Sequence, residues 1–100
     1  MRIRFAPSAR TQFLAGISYI RRDNPETATE FRISAENSLG RLIGFPKPGR
    51  NIPEFPYLPH RELLVKPYRF FYRKVDKTIW IVAVWHCAQL PYKPLWIASS

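Results

Sequence analysis

The sequence predicts an α+β fold: an N-terminal strand, an antiparallel helix hairpin, then a three-stranded antiparallel meander, the strands forming a twisted sheet with the helices on one face. Three observations predict it. Arg2 to Ala6 alternates polar and apolar residues, as a half-buried strand does. Between Ala9 and Leu42 apolar residues recur at helical spacing. From Arg61 to His86 runs of β-branched and aromatic residues are separated by short breaks of turn-compatible residues.

In chain order, Arg2-Ile3-Arg4-Phe5-Ala6 forms the first strand, and Pro7-Ser8 punctuates it with Ser8 as the expected N-cap. Ala9, Phe13, Ile17 and Ile20 make one apolar stripe that ends near Arg22. At Asp23-Asn24-Pro25 the helix breaks and restarts. Asn24 caps, Pro25 takes the first helical position, where its missing N–H costs nothing, and Glu26 meets the positive end of the new dipole. Ala28, Phe31, Ala35, Leu39 and Leu42 continue as a second stripe, with Gly44 expected just past the helix end. So short a connection makes the two helices an antiparallel pair.

From Phe45 to His60, Pro46, Pro48, Pro53, Pro56 and Pro59 forbid a regular helix and remove ladder donors, so a stiff extended loop is expected. Three strands follow: Arg61 to Lys66, Tyr68 to Val75 and Thr78 to His86. The last is apolar on both alternating sets, the mark of a central strand covered on both sides. With Asp76-Lys77 as a two-residue turn, Val75 faces Thr78, Arg73 faces Trp80, Phe71 faces Val82 and Arg69 faces Val84. Strict alternation then puts Arg69, Phe71, Arg73, Trp80, Val82, Val84 and His86 on one face. Tyr68, Phe70, Tyr72, Ile79, Ile81, Ala83 and Trp85 lie on the other, under the helices. Past His86, Pro91 and Pro94 oppose a helix, and Leu95 and Trp96 are expected to pin the tail to the domain.

Composition narrows the function. A length of 100 residues allows one modest core, so residues 1–100 read as a single domain. A net charge of +9 calls for an acidic partner: nucleic acid, an acidic protein or an anionic surface. No apolar run approaches the roughly 20 residues that span a bilayer, and no signal-peptide core is visible, so a soluble cytoplasmic protein that does not act at a membrane is expected. One cysteine, Cys87, gives no internal disulfide; it is read as a small buried thiol rather than a nucleophile beside His86. There is no metal-ligand spacing, no Gly-rich phosphate loop and no paired carboxylates, so neither metal nor cofactor is expected.

Charge concentrates on the loop and sheet. Arg10, Arg21, Arg22, Arg32 and Arg41 in the helices are nearly balanced by Asp23, Glu26, Glu30 and Glu36. Lys47, Arg50, Arg61, Lys66, Arg69, Arg73, Lys74 and Lys77 face only Glu54, Glu62 and Asp76. Arginines interleaved with aromatics suit phosphates and stacked bases, an acidic hydrophobic peptide, or plain solvation. The candidate partner-binding residues are Arg50, Arg61, Arg69, Arg73, Trp80 and His86. His86 reads either as an acid–base group, from its ordinary pKa of ~6.5, or as a hydrogen-bonded structural residue.

The order of motifs resembles the RelE/ParE superfamily of toxins from type II toxin–antitoxin modules. The carrying pieces are Tyr19-Ile20 with Asn24-Pro25, Pro48-Gly49-Arg50, Arg61-Glu62-Leu63, Pro67 to Arg73, and Ile81 to His86. The resemblance implies a compact toxin, of use in plasmid stabilisation and growth inhibition, wrapped by a cognate acidic antitoxin. ParE-like members inhibit DNA gyrase; RelE-like members cut mRNA in the ribosomal A site. Arg69 matches the arginine of the RelE-like Gly-Tyr-Arg element, but the paired lysines of that branch fall near His60 and Glu62, and its later arginine at Gln89. A nuclease here would rest on Arg69, Arg73, His86 and Tyr92. The His86 position is shared with ParE-like chains, so the resemblance favours a non-enzymatic gyrase inhibitor over an endoribonuclease.

Overall fold

The computed structural model describes residues 2–44 and 49–88. Strand β1 (Arg2–Phe5) leads into helices α1 (Pro7–Asp23) and α2 (Pro25–Gly44). Strands β2 (Arg50–Asn51), β3 (Arg61–Val65), β4 (Tyr68–Val75) and β5 (Thr78–His86) follow. The sheet order is β1-β5-β4-β3-β2, with β1 parallel to β5 and the remaining pairs antiparallel. The expected strand, helix pair and meander are therefore present, and the two-residue β2 is an addition from within the proline-rich loop.

Both helical stripes do what their spacing demands. Ala28, Phe31, Ala35, Leu39 and Leu42 of α2 are all buried, as are Ala9 and Ile17 of α1, with Phe13 and Ile20 packed beside them. They meet Val65, Tyr68, Phe70, Tyr72, Ile79, Ile81 and Val84 on one face of the sheet. The Phe13 ring ties three elements together: it stacks on Phe5 at 5.5 Å and meets Phe31 and Phe70 edge-on. Gly16 sits where α1 crosses Tyr68; an added Cβ there would lie 2.9 Å from the ring.

The helix junction follows the sequence closely. The Asn24 side-chain oxygen accepts from the Thr27 N–H at 3.1 Å, and Pro25 opens α2. Two end assignments change. Pro7, not Ser8, opens α1, with Ala6 in the cap position and no side-chain cap, because proline already has the φ a first helical turn requires. Gly44 is the last residue of α2 rather than the one after it, and no described glycine has positive φ.

The larger correction concerns β5. Val75 faces Thr78 and Arg73 faces Trp80 as expected, with Asp76 at φ 55° in the turn, but Phe71 pairs with Ala83 and Arg69 with Trp85. Tyr72 pairs with Ile81, so Val82 is an extra residue in a β-bulge. Val82 and Ala83 consequently both pack on the face away from the helices, with Ile52, Phe55 and Phe71. Beyond the bulge the alternation is inverted: Val84 and His86 turn to the helix side, Ala83 and Trp85 to the other. On that stretch β5 keeps β4 on one side but has no strand on the other, since β1 has ended, and Gln12 of α1 supplies the missing acceptor for the Val84 N–H at 2.8 Å.

Close approach makes a test. A Cβ on Gly49 would lie 2.5 Å from the Tyr72 hydroxyl and 2.6 Å from the Glu62 carbonyl, whereas one on Gly40, inside α2, would meet nothing within 4 Å. Gly49→Ala should destabilise by about 1–3 kcal/mol, and Gly40→Ala should stabilise by about 0.5–1 kcal/mol. Paired urea denaturation curves check both signs.

Candidate functional site

The sheet face away from the helices has two unlike halves. At the β3 end the segment from Ile52 to His60 folds over it, laying Ile52, Phe55 and Leu58 on Phe71, Val82 and Ala83. The start of that segment is held by Gly49, whose N–H donates to the Tyr72 hydroxyl at 3.0 Å and whose carbonyl accepts from Arg61 at 2.9 Å. Burial raises the Tyr72 phenol above its ordinary pKa.

Under this cover lies Arg69. Its guanidinium donates to both Glu54 oxygens at 3.0 and 2.7 Å, and to both Glu62 oxygens at 2.7 and 3.2 Å. Glu62, only 3% exposed, also accepts from Arg50 at 3.0 Å. The Arg69 guanidinium further sits 5.0 Å from the Phe71 ring centre, and Phe71 meets Trp85 edge-on at 5.5 Å. Hydrogen bonding to Glu54, then to Glu62, drives the Arg69 pKa up against the opposing effect of burial. The same Arg69 hydrogen bonds hold the Glu54 carboxyl below its ordinary value. Arg69 is thus charge-compensated, not an open cation.

The other candidates divide. Arg73 and Trp80 are paired across β4 and β5 on this same face and are half-buried; Arg73 makes no ion pair among the described residues. Arg50 lies exposed at the rim, tethered to Glu62. Arg61 alternates with Leu63 and Val65 and so stands on the helix side of the sheet, at its edge. His86 is separated from the arginines by the bulge: its ring meets Tyr68 edge-on at 5.2 Å, and its Nδ1 accepts from the Ala88 N–H at 3.0 Å. Cys87 is exposed rather than buried, because β5 has ended and its N–H turns back to the Pro67 carbonyl at 2.8 Å. Tyr92, Lys47, Leu95 and Trp96 lie outside the described residues.

Sequence reasoning missed three participants. Glu54 and Glu62 had no role there as partners of Arg69, and the signal that could have found them is an arginine set among the aromatics Tyr68, Phe70 and Phe71. The third, His60, is 2% exposed, and burial, with Arg73 nearby, pushes its pKa down to about 4. Among the described residues no cluster of three or more His, Cys, Asp or Glu could hold a metal ion, and no helix is long and apolar enough to cross a membrane.

Fold and site together define a small basic α+β domain in which, among the described residues, the buried arginine is compensated by carboxylates of the same chain. The chain matches, over residues 3–91, the family described as the ParE toxin of the type II toxin–antitoxin system parDE, and it belongs to that family. It is thereby on the ParE-like branch of the RelE/ParE superfamily. A chain of the chromosomal ParDE toxin–antitoxin system from P. aeruginosa has the same fold, with a TM-score of 0.68 at 18% identity, covering 86% of this chain and 95% of that one. No curated protein matches in sequence.

Two measurements test the charge cluster. Arg69→Ala takes the buried partner from Glu62, leaving it the exposed Arg50, and should cost about 3–5 kcal/mol, while Glu54→Gln, at a carboxylate 37% exposed, should cost about 1 kcal/mol or less because solvent screens it. Denaturant titration of both variants gives the contrast. The second is pH. Folded His60 resists protonation, so the unfolded chain takes up a proton first, and stability should fall as pH drops from about 6.5 through about 4. Glu54 adds its own loss below 4.5, its ordinary value, as its lowered folded pKa is passed. Melting temperatures against pH should show the upper part of this decline flattened in His60→Gln.

Proposed function

We propose that this protein is the toxin of a parDE-type module, that it arrests growth by binding and inhibiting DNA gyrase in the cytoplasm, and that a cognate acidic antitoxin neutralises it. The observation that carries this reading is the family match across residues 3–91, almost the whole chain. The geometry supports binding over cleavage. A nuclease needs cations free to meet the charge that develops on a phosphorane, yet Arg69 already satisfies two carboxylates. His86, the acid–base candidate of the sequence, is on the opposite side of the sheet from Arg69 and Arg73. An excess of positive charge on the sheet also suits an acidic antitoxin segment, which would meet arginine through paired hydrogen bonds.

Expression of the chain alone should arrest growth, and co-expression of the acidic protein encoded beside it should restore growth and co-purify with it. Purified toxin should block gyrase supercoiling and leave mRNA intact in primer-extension mapping. Site-specific mRNA cleavage that vanishes in His86→Ala would replace this reading with a ribosome-dependent endoribonuclease.

A further inference from the structure

Toward the β1 edge the cover on this sheet face thins: Trp80 is half-buried, packed against the Phe71 cluster, and Arg4 beyond it is exposed. Register places Arg4 of β1, Trp80 of β5 and Arg73 of β4 side by side on three adjacent strands. Partners directly opposite share a face, so an indole is flanked on both sides by a guanidinium, each one strand spacing of about 4.8 Å away at the backbone. Arg2 precedes Arg4 by two residues, about 7 Å along the same strand and on the same face. A groove of about 610 Å³ runs along this edge, lined by Arg2, Arg4, Phe5, Arg10 and Trp80 among others, and no carboxylate lines it. Arg2, Arg4 and Arg10 are exposed. The nearest acidic residue in sequence to this row is Asp76, in the β4–β5 turn.

We propose that this Arg4–Trp80–Arg73 row, extended by Arg2 and Arg10, is a binding site for single-stranded nucleic acid. Arg2, Arg4 and Arg10 line the groove with the indole, and Arg73 stands one strand beyond it; the set matches a chain that repeats one phosphate per unit and offers a flat base between phosphates. An acidic peptide would need carboxylates spaced to meet all four cations and would leave the indole without a partner of its own shape. Only binding is involved; no bond is made or broken. The site is separate from the Arg69 cluster and does not depend on gyrase being the target.

The test uses the purified full chain and a fluorescein-labelled short oligodeoxythymidylate, followed by anisotropy from about 50 to 200 mM salt. With four phosphates engaged, log K should fall against log salt with a slope near −3, about −0.7 per contact. Arg4→Gln and Arg73→Gln should each make the slope shallower by about 0.7. Trp80→Leu should weaken binding by at least about fivefold and leave the slope unchanged. Arg22→Gln, on α1, should bind like the parent. The two arginine variants keep the test valid if Trp80→Leu fails to fold. The proposal is overturned by no anisotropy change at the lowest salt, or by Arg22→Gln weakening binding as much as Arg4→Gln, which would mean diffuse attraction. It is also overturned if a glutamate-rich peptide binds in an Arg4-sensitive manner while the oligonucleotide does not; the groove would then be a strand-addition site.

Discussion

One extra residue in β5 decides what each face of this sheet presents. A strand of nine residues between two layers must satisfy both, and strict alternation from Thr78 to His86 would have set Trp85 under α1 and Val84 in the open. The bulge at Val82 avoids this. It spends two successive side chains, Val82 and Ala83, on the covered open face and returns Val84 to the helix-side core. The large Trp85 ring then has room against Phe71, and His86 falls beside Tyr68. The disturbance to the ladder is small because Gln12 meets the Val84 N–H from the neighbouring helix.

That inversion also explains why Arg69 is buried in company. Opposite Trp85 and next to Phe71, its guanidinium lies on an aromatic floor where water is excluded, and an unpaired cation there would be costly. Glu62, one strand over, and Glu54, from the covering segment, satisfy its N–H groups, and Glu54 thereby draws the segment down onto the sheet. Ion pairs of this kind add little net stability compared with an apolar replacement. Their geometric demand is stricter, since a fork of N–H groups fits two carboxylates in only a narrow set of positions. The cluster therefore fixes where the proline-rich segment lies, and that segment divides the open face into a covered half and one where the cover thins toward β1.

Much of the architecture was legible in the sequence. The five buried positions of α2 are those its spacing marks, and Asn24-Pro25 signals the junction with two independent devices, a cap and a fixed φ. The turn at Asp76-Lys77 set the register correctly as far as Ile81. What failed did so for a definite reason. A strand apolar on both parities carries no alternation to break, so nothing in Ile79 to Trp85 reveals the bulge, and every face assignment beyond it was inverted. The partners of Arg69 were hidden because they stand seven and fifteen residues away, brought close by strand pairing and by a loop without periodicity. Arg69, Phe71, Arg73 and Trp80 share the face that alternation assigned them, but which arginine is compensated could not be read without the carboxylates.

The distribution of carboxylates then bears on function more than the arginines do. Seven acidic residues stand against sixteen basic ones, and among the described residues Arg32, Arg50 and Arg69 make ion pairs while most other cations make none. Asp23, Glu26, Glu30 and Glu36 belong to the helices, Asp76 sits in the β4–β5 turn, and Glu62 and Glu54 gather at the β3 end of the sheet around one arginine. Concentrating both on Arg69 leaves the β1 end, with Arg2, Arg4 and Arg73, strongly positive. Like charges held this close repel one another and oppose the compact state. Strand pairing keeps them together all the same, because the backbones of β1, β5 and β4 fix their spacing whatever the side chains prefer. A polyanion that lies across that row relieves the repulsion as it binds, so the unfavourable charge arrangement of the free protein becomes a source of affinity in the complex.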